Sequence, residues 1–492
     1  MQKIIEKARI AQSVWAAYPY RERVVRLKKA QSFLNSHVDA ITAVIHRDNG
    51  KLELDALVTE VLPAIMGFSY YIKLGRKVLK SHAVRGSNLL LFNKQSRIEY
   101  KPYGVVGIIS PWNYPFAIPF SEVVMALLAG NAVVLKVASL TPNVGRIIGS
   151  IFAAANLPAG LFNYVEIPGN EAGPAFIAGG VDKLFFTGST AVGKQLMALA
   201  ASRLLPLVLE LGGADAAVIC EDADLDRAAA GIVWAGFSNA GQSCGGAQRI
   251  LVHRSVYNSF VKKISTLVKK LRIGSDRYCD IGPMTSLKQK QLVKQQLGAC
   301  IAAGARIAAT SSGGNFEGSG LETPAVVLTN ITRGMPVMTE EIFGPVIAVA
   351  PVDSDEEAIQ IANDSQYGLT GSVWSRNKKR ARAIASRIHA GAIMINDHLM
   401  SHGLAETPWG GYEDSGIGRT HGEQGFREML NMQVIVDDIL PAVKRNIFWQ
   451  PYTPEIYKGM HALTELLGGP GLADRLKSVP DVLKIFFRYW KK

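Results

Sequence analysis

Four short apolar runs dominate residues 104–213: Gly104-Val-Val-Gly-Ile-Ile109, Ala132-Val-Val-Leu135, Lys183-Leu-Phe-Phe186 and Leu207-Val208-Leu209. Apolar runs of this length without polar alternation belong to strands buried on both faces, and helical patterns lie between them. They predict an α/β fold. Strand and helix signals alternate again from Ala216 to Ala350, so a second α/β domain is expected after the first. A chain of 492 residues exceeds the length at which one hydrophobic core stops growing, which also favours two or three domains.

The fourth run ends in a carboxylate, Glu210, and Gly212-Gly213 follows, as expected where a buried strand stops at a tight turn. Further on comes Gly241-Gln242-Ser243-Cys244-Gly245-Gly246. A cysteine among glycines has little side-chain cover, so its sulfur can meet a substrate and its backbone N–H an oxyanion. A strand-end carboxylate and an accessible thiol are a base and a nucleophile, the parts needed for covalent chemistry at a carbonyl carbon.

Other stretches carry the residue types of a nucleotide and oxyanion site. In Ser110-Pro-Trp-Asn-Tyr-Pro-Phe116, Asn113 is placed either to donate an amide N–H or to form a turn. Lys136 stands at the carboxyl end of its run, where ribose hydroxyls or a phosphate would lie. Thr187-Gly-Ser-Thr-Ala-Val-Gly193 leads into a helix expected over residues 194–205, and its glycines let a helix N-terminus approach a pyrophosphate. The spacing is GxTxxG, not GxGxxG. Glu340-Glu-Ile-Phe-Gly-Pro-Val346 reads on its own as a turn with an acidic pair beside an aromatic.

LELGGAD, NAGQSCGGAQRI, PWNYP, the GxTxxG turn, EEIFGPV, Asn363-Asp-Ser-Gln-Tyr-Gly-Leu-Thr-Gly371 and Pro408-Trp-Gly-Gly-Tyr-Glu-Asp-Ser-Gly416 together resemble the motifs of the aldehyde dehydrogenase superfamily, in the family's order. The resemblance implies a Rossmann-type cofactor domain (1–82 and 102–211), an α/β catalytic domain (212–396) and a projecting oligomerisation arm (83–101 and 397–440). It implies Cys244 as nucleophile, Glu210 as the activator of water and Asn113 as the oxyanion-hole amide. NAD or NADP would be held by Ser110, Trp112, Lys136, Ser139, Gly188, Ser189, Gly193, Leu211, Glu341 and Phe343, with Glu341 on the nicotinamide ribose and Phe343 near the ring. Tyr114 and Trp409, the latter where a phenylalanine is usual, would line the substrate pocket. The short segment before Asn113 and the loop at 397–407 resemble the class 3 branch, which implies dimers and medium- to long-chain or aromatic aldehydes. Two positions depart from the family. Ser139 replaces a glutamate that accepts hydrogen bonds from the adenosine ribose, which removes an obstacle to NADP, and Ala214 replaces a lysine that has no essential catalytic part.

Nine histidines without ligand spacing and four cysteines without a CxxC pair argue against a metal site and for a reducing compartment. Neither a signal sequence nor a membrane-spanning run is read, so the chain is expected in the cytoplasm. The net charge of +13 is concentrated: residues 67–101 hold eight Lys or Arg against one Glu, and residues 441–492 hold nine against four acids. The first stretch contains a hairpin expected from Leu89-Leu-Leu-Phe92 and Arg97-Ile-Glu-Tyr-Lys101, the dimerisation arm. The second is a basic amphipathic tail whose end mixes Tyr489 and Trp490 with lysines; it is expected either to lie on a membrane surface or to pack over the substrate entrance or a partner subunit. No aromatic-interleaved motif accompanies the charge, so no nucleic-acid partner is expected.

Overall fold

The computed structural model describes residues 1–84 and 91–490. They form two compact units, Met1–Val78 with Lys101–Asn431, and Leu79–Tyr100 with Met432–Lys492.

In the larger unit the four apolar runs become neighbouring strands. The sheet order is Gly416–Ile417, Leu207–Glu210, Lys183–Thr187, Val105–Ile109, Ala132–Lys136, Phe162–Tyr164. All neighbours are parallel except Gly416–Ile417, which runs antiparallel to Leu207–Glu210. The neighbouring strands Val105–Ile109 and Ala132–Lys136 are buried throughout, as is the helix Ala117–Ala129 that connects them. Register sets the site. Ile109 pairs with both Lys136 and Phe186, and Thr187 pairs with Glu210, so Ser110, Lys136, Thr187 and Glu210 all leave the sheet along its carboxyl edge. That edge is where open α/β sheets bind ligands.

The second sheet runs Arg306–Thr310, Val326–Thr329, Val346–Val352, Ala247–His253, Asp215–Ile219, Thr370–Trp374, Ala392–Ile395. Arg306–Thr310 is antiparallel, with a register shift between Ile307 and Ala309, and the other pairings are parallel. Asp215 pairs with Ala247, so the segments entering these two strands are neighbours. One carries Gly212-Gly213 and the other Cys244. A Cβ on Gly213 would lie 2.5 Å from the Cys244 carbonyl oxygen, which accounts for a glycine there. Because Leu207–Glu210 passes almost directly into Asp215–Ile219, the carboxyl edge of the first sheet meets the amino edge of the second at Glu210 and Cys244.

Several sequence expectations need correction. The helix after the GxTxxG turn is Thr190–Ala201, not 194–205. Gly193 thus lies in its first turn, where a Cβ would come within 2.6 Å of the Leu211 side chain. A continuous helix over Glu53–Val78 is long and apolar enough, by length and composition, to cross a membrane, although no such run was read. Its apolar residues serve two faces: Ala64, Phe68, Tyr71, Leu74 and Val78 are buried and the helix packs on Ala117–Ala129, whereas Leu54, Val58, Leu62 and Met66 are exposed at four-residue spacing. Residues 397–431, read as part of the arm, belong to the larger unit, held there by the pairing of Gly416–Ile417 with Leu207–Glu210 and by reciprocal backbone hydrogen bonds between Trp409 and Thr420.

The smaller unit carries a three-stranded sheet, His82–Val84, Lys94–Pro102 and Leu430–Asp438. Arg97–Lys101 falls in its middle strand, which pairs antiparallel with His82–Val84; residues 89 and 90 of the expected hairpin lie outside the described residues. Two helices, Pro454–Gly468 and Leu472–Phe486, pack together around Ile447, Ala462, Leu463, Val482, Ile485 and Tyr489. Thr453 caps the first of them, its side chain accepting from the Ile456 N–H at 3.4 Å.

Candidate active site

The helix Leu225–Phe237 runs into a turn, Ser238–Gly241, in which Asn239 and Ala240 take φ of 53° and 54°. Gly241 also has positive φ, and a Cβ there would run into the Gly344 carbonyl. Such a turn persists only if its surroundings hold it. Asn239 Nδ2 donates to the Asn113 carbonyl at 3.0 Å, Gln242 Nε2 donates to the Asn239 carbonyl at 3.0 Å, and Gln242 Oε1 accepts from the Thr285 N–H at 2.9 Å. The turn delivers Cys244, partly exposed, just ahead of the strand Ala247–His253.

Three cavities meet at Cys244, the one residue that lines all of them. The first, about 290 Å³, is walled by Tyr114, Trp234, Leu399, Met400, His402 and Trp409, with Val58 and Pro63 also lining it. The second, about 250 Å³, is walled by Trp112, Asn113, Gly188, Ser189, Leu211, Glu341 and Phe343. The third is a narrow chamber bounded by Glu122, Glu210, Leu211, His402, Thr420 and His421. A thiol at such a junction can face an apolar compound on one side, a planar polar one on another and a carboxylate on the third.

Of the sequence-predicted residues, Cys244, Asn113, Glu210, Tyr114, Trp409, Trp112, Gly188, Ser189, Leu211, Glu341 and Phe343 therefore surround this junction. Ser110, Lys136, Ser139 and Gly193 do not line the three cavities. Ser110 and Lys136 sit at the sheet edge, where the Ser110 N–H donates to the Lys136 carbonyl at 3.0 Å; Ser139 is exposed. Asn113 Nδ2 donates to the Gln242 carbonyl at 3.1 Å, leaving its second amide hydrogen for another acceptor. Among the described residues neither carboxyl oxygen of Glu210 meets a hydrogen-bond partner at ordinary distance, though the Trp409 indole acts on it. Glu341 accepts from the Gly213 N–H at 3.2 Å, and a Cβ on Gly212 would run into its carboxylate. Trp112 and Phe343 meet edge to face with ring centroids 5.3 Å apart.

Burial governs the charges. It pushes the Cys244 thiol well above its usual range, with Glu341, Asp215 and Glu210 adding to the effect, so the resting sulfur is protonated at neutral pH. Glu210 is held well above the ordinary carboxyl range by burial and then by Glu122, against the pull of Arg419. Burial raises Glu341 to about 8 and Asp215 to about 7. His402 and His421 are driven down to about 4 and about 3, and are neutral.

Sequence reasoning missed the support beneath this site. Lys51 and Glu60 form a fully buried ion pair at 2.7 Å. Lys51 Nζ also donates to the Asn113 carbonyl at 2.8 Å, and Glu60 Oε2 accepts from the Phe116 and Ala117 N–H groups at 2.7 and 3.1 Å. Asn49 Nδ2 donates to the Trp112 carbonyl at 2.7 Å. The whole 112–117 loop is thus fixed from the helix Val38–Asn49 and the π-helical turn Leu57–Val61. Glu122 was also missed; a single carboxylate in the otherwise apolar stretch Ala117–Ala129 was the available signal.

Residues 1–435 match the aldehyde dehydrogenase family. A 4,4'-diapolycopene aldehyde oxidase from a Methylomonas species is 36% identical over 471 residues, covering 95% of this chain and 87% of that protein. A Mycolicibacterium smegmatis protein named for succinate-semialdehyde and NADP(+) is 36% identical over 435 residues, covering 87% of this chain and 83% of its own. The crystal structure of a Staphylococcus aureus betaine aldehyde dehydrogenase variant in complex with NAD+ superposes with a TM-score of 0.84 at 29% identity, covering 91% of this chain and 90% of that one. With the three cavities converging on one cysteine and a match across most of its length, the chain belongs to the aldehyde dehydrogenase family.

Proposed function

We propose that this enzyme oxidises apolar aldehydes, medium- to long-chain or aromatic, to their carboxylic acids with NAD or NADP, through a thioester on Cys244. The observation that carries the reading is the convergence of an apolar cavity, a cavity of dinucleotide character and a carboxyl chamber on one sulfur. The second cavity fits a nicotinamide dinucleotide: Gly188 and Gly212 line it without side chains, Glu341 can accept from ribose hydroxyls, and Trp112 and Phe343 offer ring faces. When bound, the nicotinamide supplies the hydride acceptor.

The chain's own residues do the rest. The Cys244 sulfur adds to the aldehyde carbonyl carbon as its proton passes to Glu210, the base that shares the chamber. The free amide hydrogen of Asn113 and the Cys244 backbone N–H stabilise the oxyanion. Loss of hydride leaves a thioester. Glu210 releases the thiol proton to solvent and, as a carboxylate again, takes a proton from water, whose oxygen attacks the thioester and gives the free acid.

The lining of the substrate cavity supports an apolar aldehyde over succinate semialdehyde. Succinate semialdehyde ends in a carboxylate, and among the described residues no lysine or arginine lines this cavity to pair with it. An unpaired buried carboxylate costs several kcal/mol. An apolar tail meets Leu399, Met400, Trp234 and Trp409, and Val58, which also lines the cavity, belongs to the exposed apolar row Leu54, Val58, Leu62 and Met66. We read the arm as the contact of a homodimer. The tail 441–492 is read as a membrane-surface contact of a cytoplasmic enzyme, supported by exposed Leu472, Leu476, Leu483, Phe487 and Trp490 at helical spacing.

Initial rates with alkyl aldehydes, benzaldehyde and succinate semialdehyde, each with NAD and NADP, test the reading. Apolar aldehydes are expected to have at least about tenfold higher kcat/KM than succinate semialdehyde, in line with the cost of an unpaired charge. Preference for the semialdehyde would refute the substrate assignment, and no cofactor reduction with any aldehyde would refute the activity.

A further inference from the structure

The chamber that holds Glu210 holds a second carboxyl to which the scheme above gives no task. Glu122 is 3% exposed and Glu210 5%, and both line the narrow cavity with Cys244, His402, Thr420 and His421. Their surroundings offer little to neutralise two charges. Arg419 is the cation that acts on Glu210, but its guanidinium already donates to the carbonyls of Gly411 and Gly418 at 3.1 and 2.6 Å. Tyr71, from the helix Leu62–Val78, is near Glu122 and is kept as a neutral phenol by burial. His402, from the turn Met400–Gly403, and His421 are uncharged at neutral pH. Glu122 sits among the buried residues of Ala117–Ala129, and burial holds its proton up to a pH of about 8. Two carboxylates in one buried chamber oppose each other's ionisation, as burial opposes both.

We propose that Glu122 is a positioning residue for Glu210: the two carboxyls share one proton, and the singly protonated pair is the form that hydrolyses the Cys244 thioester. The proposal rests on the reading that Glu210 activates water. In the step, the water oxygen bonds to the carbonyl carbon while one water proton passes to the Glu210 carboxylate. The carbon–sulfur bond breaks, sulfur leaves with the electron pair, and it takes the proton from Glu210. The products are the acid and the Cys244 thiol, and Glu122 keeps its proton throughout. Because the groups titrate as a pair, the pH dependence belongs to both together. Loss of the first proton creates the active form. Loss of the second places another negative charge beside the sulfur that must leave as an anion, and slows hydrolysis.

The test is the decay of the Cys244 acyl adduct, formed in one turnover of the full-length enzyme with an alkyl aldehyde and cofactor, and followed by rapid quench and intact mass across the pH range. The wild-type rate is expected to rise and then fall as pH increases. In Glu122→Gln the rise should remain and the alkaline fall should vanish, with the maximal rate within about tenfold of wild type, since the amide replaces one hydrogen-bond donor by another. An unchanged alkaline limb in the variant, or a loss uniform across pH, would show Glu122 to be merely structural and overturn the proposal. If the variant does not fold, the wild-type profile decides: an alkaline limb supports the shared proton, and its absence refutes it. Glu210→Gln separates the two readings. If it stalls while Glu122→Gln keeps the wild-type profile, only this inference fails; if it clears the adduct at the wild-type rate, the underlying mechanism fails.

Discussion

Cys244 is surrounded by groups that make it a poor nucleophile at rest, and this has a physical advantage: a thiol beside Glu341, Asp215 and Glu210 stays protonated until a base takes its proton. The same burial makes stability depend on pH in a definite direction. Glu122 and Glu341 are raised to about 8 in the folded protein, so folding favours their protonated forms. That contribution is complete below the ordinary carboxyl range and is lost as pH rises through about 8. The thermal midpoint is therefore expected to fall between pH 6 and pH 9, and to fall less in Glu341→Gln; an equal fall in both would contradict the assignment. Lys51 gives a sharper expectation. Lys51→Ala leaves Glu60 buried without its partner and frees the Asn113 carbonyl, so it should destabilise the enzyme by roughly 3–5 kcal/mol, the usual cost of breaking a buried pair, visible as a large drop in the thermal midpoint. A wild-type midpoint would mean the pair contributes nothing.

The elements differ in how much of themselves they disclose in sequence. Strands buried on both faces announce themselves as apolar runs, and Gly212, Gly213 and Gly241 mark turns where backbone or carboxyl groups leave no room for a Cβ. The cysteine turn and the carboxylate that meets it were therefore legible. The Lys51–Glu60 pair was not: its members act on the 112–117 loop from elements distant in sequence, and only the packed chain brings the two together. The arm was half legible: Arg97–Lys101 is read locally and falls within the longer strand Lys94–Pro102, whereas its pairing with His82–Val84 depends on contacts that local residues do not specify. The helix Glu53–Val78 was missed as an apolar span because charged and polar positions interrupt its composition. The substrate cavity permits a test at this scale. Each methylene buried against its apolar wall is worth about 0.8 kcal/mol, so kcat/KM should rise about fourfold per carbon along a short alkyl aldehyde series until the cavity is filled. A flat series would contradict an apolar wall.

Across the whole molecule, the chain binds its chemistry to one junction and leaves its charge elsewhere, in the stretches 67–101 and 441–492. Flotation with vesicles containing anionic lipid should retain the full chain and release a chain ending at Asp438; equal retention would remove the tail from any membrane role. The cofactor assignment is tested at Ser139. Ser139→Glu should lower kcat/KM for NADP more than for NAD, because a carboxylate repels a ribose phosphate, and equal loss for both would contradict it. The central claim, that one sulfur carries the acyl group until Glu210 frees it, is tested most directly by mixing Glu210→Gln with an alkyl aldehyde and cofactor and measuring the intact mass after one turnover. The account predicts a single burst of reduced cofactor and one acyl adduct per chain, mapped to Cys244. Sustained turnover in that variant with no adduct on Cys244 would contradict it.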